Sequence, residues 1–307
     1  MYKNIVFMGT SYFAVPILKS LYQNGYPVKV VYTQPPKKSN RGQKLHKSPI
    51  NLFSENISLD IRTPKTLKNN IEEELYLSKL EPDLIVVVSY GQIIPKNLLK
   101  IPIKGFLNVH ASLLPRWRGA APIQRSIINL DKETGISIMK INENLDEGPV
   151  CNQYSLKISE NMNSDELSEK LSLLASEKIL DVLDNIYEGK IKFTDQDHSK
   201  ATYAKKIEKI EGKIDWNENA DIIIGKINGL YPYPGAFFLF NGERYKILKA
   251  EKSYTNGKPG NIISEDFEIC CREGSIKVIN IQREGKRVQQ VGEFLLGSQI
   301  KKGINIA

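Results

Sequence analysis

The amino-acid sequence predicts an α/β fold, a Rossmann-like layer with a mostly parallel sheet, followed by a small all-β domain. Three observations carry that expectation. The chain begins with the order strand, helix, strand, the unit from which parallel sheets are assembled. Leu84-Ile-Val-Val-Val88 has no polar interruption, as befits a central strand covered on both faces. Beyond about Tyr203 the long elements give way to short alternating runs separated by Gly or Asn.

Taken in order, Ile5-Val-Phe-Met8 is a short apolar run ended by Gly9. A helical stretch then covers residues 14–24, and Val28-Lys-Val-Val-Tyr32 is the next strand. The segment 35–49 contains Pro35, Pro36, Gly42 and Pro49 and reads as a long loop, a feature that is usually functional when it survives in a compact domain. Residues 72–80 have helical character, and Pro82 stops them. Gly105-Phe-Leu-Asn-Val109 and Gly135-Ile-Ser-Ile-Met139 read as strands, with a helix over 120–130 between them. The longest helix candidate spans 165–187, with Leu167, Leu171, Leu174, Ile179 and Leu183 at helical spacing and Ser164 as its expected N-cap. A short helical pattern at 220–229 precedes Pro232 and Pro234. Residues 237–240, 245–248, 268–270, 276–279 and 289–291 then predict strands of an OB-like barrel, closed to remove its edges. The expected domains are 1–203, carrying the loop 34–49, and 204–307.

At 307 residues, 41% of them apolar and 25% charged, the chain fits two ordinary globular domains. No apolar stretch approaches the roughly 20 residues that span a bilayer, and Gly9-Thr10-Ser11 breaks the first apolar run too early for a signal peptide. Cys151, Cys270 and Cys271 make no disulfide framework. A reducing, cytoplasmic setting without a membrane partner is therefore expected. The net charge of +8 is unevenly placed: residues 1–54 carry eight Lys or Arg and no acid, and the remaining residues balance at thirty-five of each sign. Five of the eight cations are Lys37, Lys38, Arg41, Lys44 and Lys47. Such a cluster suits a polyanion, because it displaces counterions from phosphates. A solvated lysine-rich loop is the commoner account of a short charge run.

Gly9-Thr-Ser-Tyr-Phe lacks the second and third glycines of the dinucleotide fingerprint, so a nicotinamide or flavin cofactor is not expected. Asn108-Val-His110 ends a strand, and residues two apart on a strand point to one face. That end is where open α/β sheets bind ligands. An amide beside an imidazole suits acyl transfer, since both donate hydrogen bonds to an oxyanion developing at a carbonyl. A capped strand end with a buried structural histidine is the other reading. Asp146, in Leu145-Asp-Glu-Gly-Pro149, follows a further strand and could orient His110 or take a proton from an attacking amine. An Asp at such a place is commonly just a turn residue. His46 and His198 are expected on surface loops. No His or Cys set has metal-ligand spacing, so no metal is expected.

The run Asn108-Val-His110-Ala-Ser112-Leu-Leu-Pro-Arg-Trp-Arg118-Gly-Ala-Ala-Pro122-Ile-Gln resembles the shared signature of formyltransferases that use 10-formyltetrahydrofolate, and the match covers nearly the whole chain. The resemblance implies that Asn108, His110 and Asp146 are catalytic. It also implies folate contacts from Ser112, Leu113, Leu114 and Pro115, and from Ser89, Tyr90 and Gly91 in the loop after the central strand. The signature leaves the acceptor open, because similar enzymes formylate glycinamide ribonucleotide or amino sugars, and a hydrolase domain shares it too. Thr33-Gln-Pro-Pro with Asn40-Arg-Gly-Gln-Lys-Leu45 resembles the inserted loop of the branch that acts on initiator methionyl-tRNA. Ala201-Thr-Tyr-Ala-Lys-Lys206, Ile214-Asp-Trp216 and Pro232-Tyr-Pro-Gly-Ala236 resemble that branch's linker and barrel. The likeness thus implies tRNA contacts from Arg41, Lys37, Lys38, Lys44 and Lys47, with 10-formyltetrahydrofolate as co-substrate. A monomer is expected, and a formyltransferase acting on an amino-sugar nucleotide is the alternative. Tyr231 departs from the branch's pattern, which often has Asn there, and residues 206–307 carry only a modest excess of sixteen basic over thirteen acidic residues.

Overall fold

Strand β1 (Ile5–Gly9) is buried at every position and lies inside a seven-stranded sheet in the computed structural model, which describes residues 2–39 and 44–307. Helix α1 (Val15–Gln23) returns the chain to β2 (Val28–Tyr32), parallel to β1. An antiparallel hairpin follows, β3 (Lys37–Ser39) against β4 (Lys44–His46), then α2 (Pro49–Asn56) and β5 (Asp60–Arg62). Next come α3 (Ile71–Leu80), β6 (Leu84–Val88), α4 (Lys96–Leu99) and β7 (Phe106–His110). After the two-residue strand β8 (Arg118–Gly119) the chain forms α5 (Pro122–Ile128), β9 (Glu133–Lys140), β10 (Val150–Lys157) and the long α6 (Ser164–Tyr187).

The sheet order is β10-β9-β7-β6-β1-β2-β5. Strands β5, β2, β1, β6 and β7 run parallel, and β9 joins β7 antiparallel. The mostly parallel layer expected from the apolar runs is therefore present. One of its cores gathers Val6, Met8, Val30, Tyr32, Ile85, Val87 and Phe106. A buried polar anchor ties β2, β5 and α3 together. Tyr32 Oη donates to Glu73 Oε2 at 2.7 Å, while Arg62 donates from Nε and Nη2 to the two Glu73 oxygens at 2.7 and 2.9 Å. Glu73 is 5% exposed, a depth at which a carboxylate is costly unless it is met, and Arg62 forks onto it.

The chain packs into two compact units: residues 1–119, 135–156 and 168–203 form one, and residues 120–134, 157–167 and 204–307 the other. The second unit thus takes in α5 as well as the C-terminal segment. After β11 (Tyr203–Ala204) it contains α7 (Ala220–Gly229), which packs against the α5 region so closely that a Cβ on Gly225 or Gly229 would press on Leu130 or Ile128. Its antiparallel sheet comprises β12 (Ala236–Phe240), β13 (Glu243–Ser253), β14 (Glu268–Cys270), β15 (Ser275–Arg283) and β16 (Gln289–Gln290). The order is β12-β13-β15-β14, with β16 on β15, and the register of β13 slips near Lys249, a bulge that bends the strand. The core inside it is a chain of aromatic contacts, Trp216–Phe238, Phe238–Tyr245, Tyr245–Phe294 and Phe294–Phe267, with ring centroids 5.4–6.1 Å apart.

Several expectations change. The segment 35–49 is not wholly a loop, since Lys37↔His46 and Lys38↔Leu45 pair as a hairpin. The cap of α6 is Asn163 rather than Ser164: Asn163 Oδ1 accepts from the Glu166 N–H at 3.0 Å, and Glu166 Oε2 accepts from the Asn163 N–H at 3.2 Å. The C-terminal antiparallel sheet is present as expected and α7 coincides with the helix expected over 220–229, but Val291 opens α8 (Val291–Gly297) instead of continuing a strand. Among the described residues no helix is long and apolar enough to cross a membrane.

Removing the carboxylate of the anchor strands a half-buried guanidinium and a buried phenol. Glu73→Ala should therefore destabilise the protein by about 3 kcal/mol, measured by denaturant titration. A loss within error of zero would show that the anchor is dispensable.

Candidate active site

Strand β7 carries Asn108 and His110 two residues apart, where Val87↔Asn108 and His110↔Ser137 fix its register between β6 and β9. Both side chains therefore emerge on one face at the carboxyl end of a parallel strand. Asp146 comes from the turn between β9 and β10, with φ of 51°, a conformation that non-glycine residues seldom adopt. Its carboxylate is where the three meet. Asn108 Nδ2 donates to Asp146 Oδ1 at 3.3 Å, His110 Nδ1 lies 3.5 Å from Oδ2, and the Gly119 N–H donates to Oδ2 at 2.8 Å. The side chain of His110 is 6% exposed and that of Asp146 15%. The other ring nitrogen of His110, Nε2, lies 2.8 Å from the Trp117 carbonyl. A carbonyl can only accept, so Nε2 carries the hydrogen and Nδ1 is the nitrogen turned toward Asp146.

The turn that presents Asp146 is pinned against β9. The Lys140 N–H donates to the Pro149 carbonyl at 2.9 Å, and a Cβ at Gly148 would overlap the Lys140 carbonyl oxygen. Only glycine fits this approach.

The stretch after β7 is a rigid frame. Ser112 is fully buried and its Oγ donates to the Arg116 carbonyl at 2.6 Å, while the Leu113 carbonyl accepts from the Arg116 N–H. The Leu114 N–H donates to Ser137 Oγ and the Leu114 carbonyl accepts from Gln153 Nε2, so the polar backbone of this residue is spoken for. The Pro115 carbonyl accepts from the Thr202 N–H. After β6, Ser89 and Gly91 are exposed, both with positive φ. Tyr90 between them turns inward at 2% exposure, and its carbonyl accepts from Thr10 Oγ1 at 2.8 Å and Gln34 Nε2 at 3.3 Å. Ser89 stands at the same end of the sheet as His110, because β6 and β7 are adjacent and parallel.

Of the basic cluster, Lys37 is exposed on β3, and Lys38 and Lys44 hold register positions opposite Leu45 and Ser39. Arg41 lies outside the described residues. Lys47 Nζ is paired with Glu55 Oε1 at 2.5 Å, so its charge is partly matched within the protein.

The backbone partners Gly119 N–H and Trp117 carbonyl carry no side-chain signature, and sequence reasoning misses both; the Trp117-Arg118-Gly119 run is the only hint of them. His198 is 60% exposed, but its Nδ1 is 3.3 Å from Arg118 Nη1 and 3.9 Å from Glu147 Oε2. Cys151, near this turn, donates to the Ile138 carbonyl, and burial pushes its thiol up to about 11, which leaves it protonated and poorly nucleophilic at neutral pH.

The family model described as formyl transferase matches residues 3–183, and the one described as formyl transferase, C-terminal domain, matches residues 206–299. A methionyl-tRNA formyltransferase of Pelagibacter ubique is 62% identical over 307 residues, covering 100% of this chain and 99% of that protein. The methionyl-tRNA formyltransferase of Ehrlichia canis is 43% identical and covers 96% of this chain and 97% of its own. Among solved structures, an N-formyltransferase from Helicobacter canadensis, in complex with folinic acid and dTDP-3-aminofucose, is similar with TM-score 0.69 at 19% identity, covering 92% of this chain and 100% of that one. At that identity the likeness is one of fold.

A side chain at Gly148 must push the turn off β9. Gly148→Ala should therefore move Asp146 away from Gly119 and cost about 1–3 kcal/mol of stability. The Gly119 amide proton, followed by NMR, should lose the downfield position of a charge-assisted hydrogen bond. An unshifted Gly119 resonance would show that the turn tolerates the methyl group.

Proposed function

The chain belongs to the formyl transferase family, and from that membership we infer that it transfers a formyl group to the amino group of methionyl-tRNA, giving N-formylmethionyl-tRNA. We assign 10-formyltetrahydrofolate as the donor. The observation that carries the chemistry is the single carboxylate of Asp146 against which Asn108 and His110 both stand.

Formyl transfer makes two demands. The attacking amine must lose a proton, and the carbonyl oxygen of the formyl group gathers negative charge as the new C–N bond forms. Asp146 is the acceptor we assign to the amine's proton, directly or through a water. The Asn108 amide supplies a donor for the oxygen, and His110 Nδ1 adds a second once it has received the amine's proton, since the Nε2 hydrogen is held by Trp117. Asp146 passes that proton to His110 Nδ1, the ring nitrogen that faces it, and Nδ1 delivers it to the departing nitrogen of the folate, so the proton lost by the amine is the one gained by the leaving group. None of the three serves as a nucleophile, so the formyl carbon passes directly from nitrogen to nitrogen. Exposed Ser89 and Gly91, beside His110 at the sheet's carboxyl end, are assigned to the folate, with Ser112, Leu113, Leu114 and Pro115 as the frame that holds the floor of its site. Tyr90 supports this loop from the core side.

For the tRNA, Lys37, Lys38 and Lys44 on the hairpin, with Arg41 between its strands in sequence, are assigned to the acceptor stem. Phosphates are held there by charge, while Arg41 is the residue assigned to reading the weak first pair. Lys47 contributes less than a free cation because Glu55 already pairs with it.

Incubated with 10-formyltetrahydrofolate and methionyl-tRNA, the protein should yield formylmethionine after deacylation; formylation of an amino-sugar nucleotide instead would replace the acceptor. His110→Ala should lower turnover by about 10²–10³-fold without unfolding the chain, and near-normal turnover would contradict the assigned role. Neutralising Lys37, Lys38, Arg41 and Lys44 together should flatten the salt dependence of tRNA binding, by about one unit of slope for each phosphate that is no longer neutralised. An unchanged slope would remove the hairpin from the tRNA site.

A further inference from the structure

Arg118 heads the fully buried side chains of the described residues by size, at 1% exposure, and it is not one of the three groups assigned to the reaction. It sits between Trp117, whose carbonyl holds His110, and Gly119, whose N–H holds Asp146. Its guanidinium donates from Nε and Nη2 to one atom, Gln196 Oε1, at 3.1 and 2.8 Å. Nη1 lies 3.1 Å from Glu147 Oε1. A buried cation needs such partners, since alone it would carry the full cost of leaving water.

Gln196 relays this arrangement to the turn. It is 8% exposed, and its Nε2 donates to two carbonyls, Asp146 O and Gly148 O, each at 2.8 Å. Both lone pairs of its oxygen are taken by Arg118 and both hydrogens of its nitrogen by the turn, so the amide is saturated. The guanidinium also decides which end of the amide is oxygen: a flipped amide would set N–H groups against N–H groups and oxygen against two carbonyls. Residues 146, 147 and 148 are therefore each gripped once, by backbone, side chain and backbone in turn. Asp146 needs that grip, because a positive φ at a non-glycine residue persists only where its surroundings over-determine it.

We infer that Arg118 and Gln196 are a positioning pair for Asp146, holding its carboxylate opposite Asn108 and His110 and so governing the chemical step rather than substrate binding. The inference rests on the function assigned above only for its kinetic readout. Arg118 and Gln196 touch none of the reacting atoms in this scheme. They act through the turn.

The test is Gln196→Glu, which keeps the volume and the acceptor for Arg118 but turns a carboxylate, without N–H groups, toward two carbonyl oxygens. Turnover should fall about tenfold to a hundredfold, with KM for folate and for methionyl-tRNA changed by less than about twofold. In an Asp146→Asn background the same change should cost no further turnover in single-turnover assays, because the group being positioned is already lost. Amide hydrogen exchange should quicken over residues 142–149 and stay unchanged over 84–88. Arg118→Lys, which keeps the charge but cannot fork onto Gln196 Oε1, should give the same pattern if Gln196→Glu fails to fold. Multiplicative losses in the Asp146→Asn background, or unaltered exchange over 142–149, would overturn the inference. The exchange arm needs no activity, so absence of formylation by the unaltered chain would count against the assigned function while exchange still decides the positioning pair.

Discussion

The carboxylate of Asp146 accepts from the Gly119 N–H at 2.8 Å and from Asn108 Nδ2 at 3.3 Å, and it faces His110 Nδ1 at 3.5 Å. Strand β7, the nearby Gly119 and the more distant turn at 146 thereby share one anion. Hydrogen bonds to a charged acceptor are roughly twice as strong as neutral ones, and a partly buried charge is costly unless it is met. The site therefore cannot loosen at one member without exposing the others to that cost. The surrounding fold serves this point: β7 sets Asn108 and His110 on one face, β9 supplies the backbone against which Gly148 pins the turn, and Gln196 and Arg118 hold the turn by two carbonyls and the Glu147 side chain.

This arrangement separates the two parts of the problem. Chemistry is assigned to a largely buried corner of an α/β sheet, where regular elements can hold side chains to a fraction of an ångström. Recognition of the nucleic acid is assigned to a short basic hairpin that leaves the sheet after β2, held at its base by Thr33 Oγ1 against Ser48 Oγ at 2.6 Å and by the Tyr32, Glu73 and Arg62 anchor. The C-terminal segment has a core of its own, built on the aromatic chain from Trp216 to Phe267.

Much of the parallel layer is legible because a fully buried strand has a plain signature, as in Leu84-Ile-Val-Val-Val88. The common face of Asn108 and His110 follows from the twofold period of a strand. What the sequence does not convey is distance. The 3.3 Å from Asn108 to Asp146 depends on β9 lying antiparallel beside β7, a pairing no local pattern encodes. Gln196 carries no signal at all, since its partners lie 48, 50 and 78 residues away. Arg118 stands inside the motif, yet a motif does not report burial. Strand β10 does have a signature, absent from the expectations above: Asn152, Tyr154 and Leu156 are half-buried and alternate with exposed Gln153, Ser155 and Lys157. The hairpin is hidden by Pro35, Pro36, Gly42 and Pro49, which argue for a loop even where the backbone between them pairs.

If one negative charge organises the site, its removal at constant shape is the sharpest probe. Asp146→Asn keeps the size of the side chain and an oxygen for the Gly119 N–H, but it abolishes the anion and the proton acceptor. Measured with saturating 10-formyltetrahydrofolate and methionyl-tRNA, turnover should fall by about 10²–10⁴-fold, with the melting temperature little changed. Turnover close to that of the unaltered protein would contradict the claim that this carboxylate runs the reaction.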